Sequence, residues 1–284
     1  MTIWPDDYIR YVLDDIKQCN RKNQITKAGL IERIRVKKVN PLLLHPNPDD
    51  EFSMEHIGPS LEIVTNYIKS IRKLDQQEIP IFEEPVICEK LKQDGYLIVN
   101  GHHRWFAALR AGVKKLHVRI VNLVHTEDVN RMLSASANTK RVSFDLDEVL
   151  LARNTEDASY IEDSAIAKKV PVHLRKGVSE VFRAFQARNY DIWVYTADYY
   201  SEGEINLLFE AYDLKITGVI NGISAKRADL AECRKSMNRK YQETIHIDNE
   251  SLLITRTDKT MYEHTELEDA ADWSGSILKI IEQR

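Results

Sequence analysis

Cysteine is scarce in this chain. Cys19, Cys88 and Cys233 are its three, an odd number set far apart, which argues against a disulfide framework and against a cysteine-based zinc site. Long apolar runs are missing too: none approaches the ~20 residues that a membrane-spanning helix needs. The opening stretch MTIWPDDYIRYVLDDIKQCN lacks the basic segment and apolar core of a secretory signal. A soluble, cytoplasmic protein with no membrane partner is expected. Neither charge sign dominates, since 40 basic against 44 acidic residues leave a formal net of -4. That balance excludes a global polycation built for nonspecific nucleic-acid binding and leaves open only a local basic groove. No repeat or low-complexity tract appears.

With 284 residues and 43% hydrophobic content the chain is long enough to bury a sizeable core, and its length suits two domains. Ile9, Val12, Leu13 and Ile16 recur at helical spacing after Pro5 and Asp6, which predicts a peripheral helix over 5–20. From Ile34 the pattern turns to β-type in IRVKKVNPLLLHPNPDDEF, entering a loop that holds Asp49, Asp50 and Glu51. Leu61, Val64, Ile68 and Ile71 then mark one face of a helix, and EPVICEKLKQDGYLIVNG reads as strand, turn and strand. The motif VNGHHRWFAALRAG therefore sits at a strand-to-helix junction. Gly101 lets the backbone turn there, and the first turn of the following helix presents unpaired N–H groups and a positive dipole end. Arg104 can fork onto phosphate oxygens, while His102 and His103 can donate to the same group. The competing reading is a structural turn with two satisfied histidines. Trp105, Phe106 and Leu109 belong to the core of that helix rather than to a base-stacking platform.

In order and spacing, HPNPDDEF, the helix, EEPVICEKL and GYLIVNGHHRWFAALRAGVKKLHVRIVN resemble the ParB/sulfiredoxin-like fold over residues 34–123, with GHHRW at its phosphate-binding signature. That superfamily includes sulfiredoxins, CTP-binding partition proteins and free-serine kinases. His102 stands where the sulfiredoxin reaction needs a cysteine, and no helix-turn-helix pattern follows, so the resemblance is closest to the free-serine-kinase branch. It implies an α+β domain binding ATP or ADP. Glu51 would be the general base on an acceptor hydroxyl, with Asp49 or Asp50 as substitutes. A solvated, helix-capping loop is the alternative for these three acids.

The second half opens with NTKRVSFDLDEVLLARN, an apolar strand running into Asp145 and Asp147. Such a strand delivers its acids to the carboxyl edge of a parallel sheet, where open α/β folds bind ligands. Paired carboxylates there suit Mg²⁺, one attacking phosphorus and the other protonating the leaving oxygen. Further strand ends bring Thr196, and then Asp248, Asn249 and Glu250, while Lys226 precedes a helix. DLDEVLL, VHLRKGVSEVFRAF and WVYTAD resemble the carboxy-terminal-domain phosphatase branch of the haloacid dehalogenase (HAD) superfamily over residues 141–284. The resemblance implies a HAD-like Rossmannoid three-layer α/β domain. Asp145 would be nucleophile, Asp147 general acid/base, and Thr196 the holder of a phosphoryl oxygen. Lys226 would neutralise the phosphoaspartate, with Lys215, Lys235 and Lys240 in the same interval. Mg²⁺ would be held by Asp145, Asp147, Asp248 and Asn249. Asn249 stands where many members carry a second acid, which implies a weaker metal site. The insertion between Leu150 and Val172 is short, so little or no cap is expected, leaving an open site.

The expected organisation is a ParB/sulfiredoxin-like domain over 1–125, a linker over 126–140 and a phosphatase domain over 141–284. The expected function is Mg²⁺-dependent phosphohydrolysis through an aspartyl-phosphate, joined to nucleotide binding or small-molecule kinase activity. Its partners would be a phosphorylated small molecule and a nucleotide, with nucleic acid not favoured because no basic-aromatic groove is evident. Two alternatives compete: a nucleic-acid end-processing phosphatase or nuclease, and a phosphatase with a non-catalytic ligand-sensing N-terminal domain. Oligomeric state is not legible.

Overall fold

A computed structural model describes residues 10, 11, 14, 15, 24–54, 56–74, 82, 84–93, 95–161, 172–223, 227–256, 262–267 and 272–283. The chain divides into two compact units, 1–122 with 225–227 and 123–224 with 228–284. Most of the helix expected over 5–20 lies outside the described residues. Among those that are described, no helix is long and apolar enough to cross a membrane.

The first unit is a mixed sheet with helices against it. Its strands are β1 (Ile25–Thr26), β2 (Lys37–Val39), β3 (Leu44–His45), β4 (Val86–Leu91), β5 (Tyr96–Asn100) and β6 (Leu116–Ile120). They lie in the order β2-β6-β4-β5-β3, with β1 on β4. β6 runs parallel to β4, and β5 pairs antiparallel to it. Alternate residues Val86, Cys88, Ile98, Leu116, Val118 and Ile120 are buried on one face, as period-two patterning requires. Helices Leu61–Leu74 and His102–Arg110 pack on each other and supply Val64, Ile71, Trp105 and Phe106 to that core. Phe52, from the loop expected to carry catalytic acids, is buried with them and lies edge-on to Trp105 and Phe106.

The second unit is organised around four parallel strands. β7 (Lys140–Asp145) lies between β8 (Tyr190–Tyr195) and β10 (Glu243–Ile247), with β9 (Gly218–Ile220) beyond β8. β11 (Ser251–Arg256) and β12 (Glu263–Glu266) extend the sheet antiparallel beyond β10. The two faces differ in chemistry. Phe144 meets Phe182 at 5.1 Å and Phe185 at 6.1 Å between ring centroids, under the layer of helices Val178–Gln186 and Trp273–Glu282. On the other face Arg141 donates to Thr244 Oγ1 at 2.8 Å and to the Tyr195 hydroxyl at 3.2 Å. Helix Asp229–Lys240 contributes the buried Cys233 and Met237 there.

Within residues 126–140, read above as a linker, helix Thr126–Ser134 buries Val129, Met132 and Leu133 in the second core. Ser136 and Asn138 side chains then both hydrogen-bond Asp191 Oδ1, at 2.7 and 2.9 Å. The change of unit falls between Asn122 and Leu123. The excursion after Leu150 is tied back by the bridges Leu151 to Leu174 and Ala158 to Arg175. Residues 162–171, on which the expectation of little or no cap partly rests, lie outside the described residues.

The aromatic cluster sets a stability test. Phe144→Ala should cost the second unit about 3–5 kcal/mol, the range for emptying a well-packed phenylalanine site. Urea unfolding should show a lower midpoint with an unchanged slope for that unit's transition.

Candidate functional site

In the first unit the predicted phosphate motif is a tight turn closed by an arginine. Gly101 takes φ 98°, the left-handed region, and caps helix His102–Arg110. A Cβ at Gly101 would stand 3.0 Å from both Nε and Nη2 of Arg104, so the backbone approaches the guanidinium as only glycine permits. Arg104 is 8% exposed; Nη1 donates to Glu84 Oε2 at 2.7 Å and Nη2 reaches Asn100 Oδ1 at 3.4 Å. Its Nε is buried with no hydrogen-bond partner among the described residues. A buried guanidinium N–H without an acceptor, beside a helix N-terminus, fits an oxyanion such as phosphate.

The two histidines engage the preceding loop. Nε2 of His102 accepts from Asn47 N–H at 3.1 Å, and Nε2 of His103 accepts from Ser60 N–H at 3.1 Å. Because each Nε2 is an acceptor, a neutral ring carries its proton on Nδ1. In His102, 4% exposed, that nitrogen lies 3.7 Å from Asp50 Oδ2, beyond hydrogen-bond reach. Both rings also pack on Phe52, at 5.3 and 5.2 Å. The imidazoles thus fasten the 47–60 loop to the helix. In that loop Asp50 accepts from Phe52 N–H at 2.9 Å and caps the short 3₁₀ helix Glu51–Ser53, while Asp49 N–H is held by Asn47 Oδ1 at 3.1 Å. Glu51, expected as the base, is exposed.

In the second unit Asp145 ends the central strand and Thr196 directly follows its neighbour β8. Asp145 Oδ1 accepts from Glu148 N–H at 2.8 Å. Burial pushes its carboxyl above the usual value; the bond from Glu148 opposes this, and the charges of Asp147 and Asp248 add to it. Leu146–Leu150 is a π-helical turn closed by Leu151 N–H on Leu146 C=O at 2.9 Å. It turns Asp147 back to β8, where Oδ2 accepts from Thr196 Oγ1 at 2.7 Å and from Ala197 N–H at 3.1 Å. Thr196 is fully buried and its oxygen also accepts from Asp198 N–H at 3.0 Å. A hydroxyl has one proton to donate, and here it goes to Asp147 rather than outward to a phosphoryl oxygen, the role first expected for Thr196.

The metal expectation changes in the same way. Among the described residues no group of three or more His, Cys, Asp or Glu is arranged to hold a metal ion, and Asp145, Asp147 and Asp248 each already accept hydrogen bonds on one oxygen. What remains is an oxygen donor set. Asp145 and the exposed Asp248 supply carboxylates, and Asn249 supplies an amide Oδ1 that is buried with no hydrogen-bond partner among the described residues. Hard oxygen donors of this kind fit Mg²⁺. Lys226 lies outside the described residues. Of the other lysines, Lys240 donates to the Leu133 and Ser136 carbonyls, and Lys235 pairs with Glu232 at 3.3 Å.

One feature beside the site escaped the sequence reading. Ser143 Oγ and His246 Nδ1 lie 2.6 Å apart, two residues before Asp145 and Asp248 on their strands. Burial first, then the Arg141 and Arg234 charges, hold His246 down to about 4, so the ring is neutral at ordinary pH. The period-two alternation of KRVSFD and ETIHI was the signal that could have placed both residues on one face.

The crowding at Asp145 yields a metal-free test. A carboxyl raised in the folded state costs stability as pH climbs from its ordinary 3.8 through the raised value, and the deficit persists above. In EDTA near neutral pH, Asp145→Asn should therefore melt higher than the parent, by roughly 1–2 °C once solvent screening of a half-exposed group is allowed for. The gap should close at acid pH and reverse when millimolar Mg²⁺ is added, all read by differential scanning fluorimetry.

Comparison with known proteins gives one family match and loose likenesses to solved structures. No curated protein matches the chain. Among solved structures, ParB from Caulobacter crescentus bound to CTP-gamma-S is 24% identical over 31% of this chain and 45% of its own length, at a TM-score of 0.24. Two variants of a free serine kinase, one with AMP and one with ADP, are 12% identical over 92% of this chain and 85% of theirs, also at 0.24. Residues 20–137, which include the Gly101–Arg104 turn and reach into helix Thr126–Ser134, match the ParB N-terminal domain.

Proposed function

We propose that this chain is a phosphotransfer protein, in which a Mg²⁺-dependent phosphohydrolase of the HAD type in the second unit is joined to a nucleotide-binding first unit. The observation that carries the reading is the pairing of Asp145, at the carboxyl end of the central parallel strand, with an Asp147 held in place by Thr196 Oγ1 at 2.7 Å and Ala197 N–H at 3.1 Å. Both bonds fall on Oδ2, which leaves Oδ1 to carry a proton.

The chemistry follows from that division of labour. An Asp145 oxygen attacks phosphorus, the bond from phosphorus to the ester oxygen breaks, and the leaving oxygen takes the Asp147 proton. Water then attacks the phosphorus of the aspartyl-phosphate, giving its proton to Asp147 and freeing phosphate and Asp145. Mg²⁺, held by Asp145, Asp248 and Asn249, would offset the charge that the phosphate brings to these acids. Ser143 and His246 keep the strands carrying Asp145 and Asp248 in register just beneath. Phosphorylated small molecules are the substrate class this reading favours.

For the first unit the buried Nε of Arg104 supports a phosphate-bearing ligand, for which ATP or ADP is the proposed candidate. Kinase activity with Glu51 as base is one form of the reading. A ligand sensor is the other, favoured by the two imidazoles that secure the 47–60 loop and whose Nε2 atoms are engaged with backbone N–H groups.

Asp145→Asn should abolish Mg²⁺-dependent phosphate release from an aryl phosphate, because an amide forms no acyl phosphate. Full turnover by the folded, Mg²⁺-supplied variant would remove Asp145 as nucleophile. Asp147→Asn should slow alkyl phosphates far more than nitrophenyl phosphate, whose leaving oxygen needs no proton; equal losses would remove Asp147 as acid. By calorimetry, Arg104→Ala should weaken ATP or ADP binding by roughly 1.5–3 kcal/mol, with Lys recovering only part. Absence of nucleotide binding to the parent protein at millimolar concentration would sink the first-unit assignment.

A further inference from the structure

The net charge of this chain conceals a strong local asymmetry. No Asp or Glu occurs from Arg33 to Pro48 or from Gly95 to Thr126, yet the two stretches hold Arg33, Arg35, Lys37, Lys38, Lys114, Lys115 and Arg119. The fold brings them together, because β2 pairs antiparallel with β6 at one edge of the first sheet, Lys38 opposite His117 and Val39 opposite Leu116. Val39 and Leu116 are buried on the helix side. By alternation Lys38, His117 and Arg119 face the other way, and Lys115 immediately precedes β6. Arg35, Lys38, Lys114 and Lys115 are exposed.

These cations are also uncompensated. Arg35, Lys38, Lys114, Lys115 and Arg119 make no ion pair or side-chain hydrogen bond among the described residues. Elsewhere cations are matched: Arg131 to Glu202, Arg175 to Asp157, and Arg256 to Glu243 and Glu263. Two acids of the neighbouring elements are engaged or buried. Glu32 is taken by Lys37 and Lys90, and Glu89, the one acid of β4, is buried. His117 is held below its usual value, first by burial and then by Lys38, which agrees with a positive field.

We infer that the β2–β6 edge is a docking surface for the phosphodiester backbone of a nucleic acid, contacted by Arg35, Lys38, Lys114, Lys115 and Arg119. Alternate residues on β6 repeat every ~6.6–6.8 Å, so His117 and Arg119, with Lys115 just before the strand, extend along successive phosphates. Contacts of this kind position a backbone and carry no sequence information. A membrane surface fits less well. The exposed Ile31 and Ile34 lie on helix Leu30–Ile34, whose five residues are too few for an interfacial amphipathic anchor. The inference does not rest on the phosphatase reading.

Fluorescence anisotropy of the full chain with a labelled 20-base-pair duplex, at 50 and 200 mM salt, tests it. Binding should be independent of sequence and weaken about a hundredfold across that range, as four or so phosphate contacts require. Charge reversal of Lys38 and Arg119 together (Lys38→Glu, Arg119→Glu) should weaken binding more than tenfold and lower the logarithmic salt slope by about two. The exposed pair Lys114→Gln and Lys115→Gln should act in the same direction with an unchanged circular dichroism spectrum. No binding by the parent at 50 mM salt would overturn the inference. So would unchanged affinity in both folded variants, or equally tight binding to phosphatidylserine vesicles.

Discussion

Parallel hydrogen bonding of β7 to β8 on one side and to β10 on the other decides where the acids of the second unit stand. The register sets Asp145 beside Tyr195 and Phe144 beside Ile247, so the residues that follow β8 and β10 emerge next to Asp145. Thr196 and Asp248 are those residues. Three segments far apart in sequence meet only because their strands begin level and run the same way. The apolar face beneath, built on Phe144, Phe182 and Phe185, holds that register by burial. The polar face holds it by specific bonds, Arg141 to Thr244 and Ser143 to His246.

The sequence made the frame legible where periodicity and punctuation were strong. VSFDLDEV announced a strand ending in an acid, and GYLIVNGHHRW announced a strand, a glycine turn and a helix; both are found. Side-chain commitments were not legible, because they depend on partners distant in the chain. Nothing local shows that His102 accepts from Asn47, 55 positions away, or that Thr196 donates to Asp147 across 49. The same limit applies to the stretch 126–140. Its small and polar residues read as a boundary, while Val129, Met132 and Leu133 on one helical face carry it into the second core.

Charge shows the limit differently. A net of -4 describes the whole chain, and an average cannot show that acids are absent from two strands that pair. Pairing β2 with β6 turns two modest basic runs into one continuous field. The first unit thus combines a tight glycine turn at Gly101–Arg104 with a basic sheet edge, two features of different scale that formal charge counting treats alike.

The π-helical turn after Asp145 has a mechanical consequence. Asp145 takes its position from strand pairing, whereas Asp147 takes its position from a five-residue turn and from bonds to β8. The two carboxylates are two residues apart in sequence and are held differently, sharing only the turn that donates Glu148 N–H to Asp145. A disturbance transmitted along the sheet would carry Asp145 and Thr196 together, and Asp147 would follow through Thr196. A disturbance of the turn would displace Asp147 directly and reach the Asp145 carboxylate only through the Glu148 N–H bond, while the Asp145 backbone stays held by its strand neighbours.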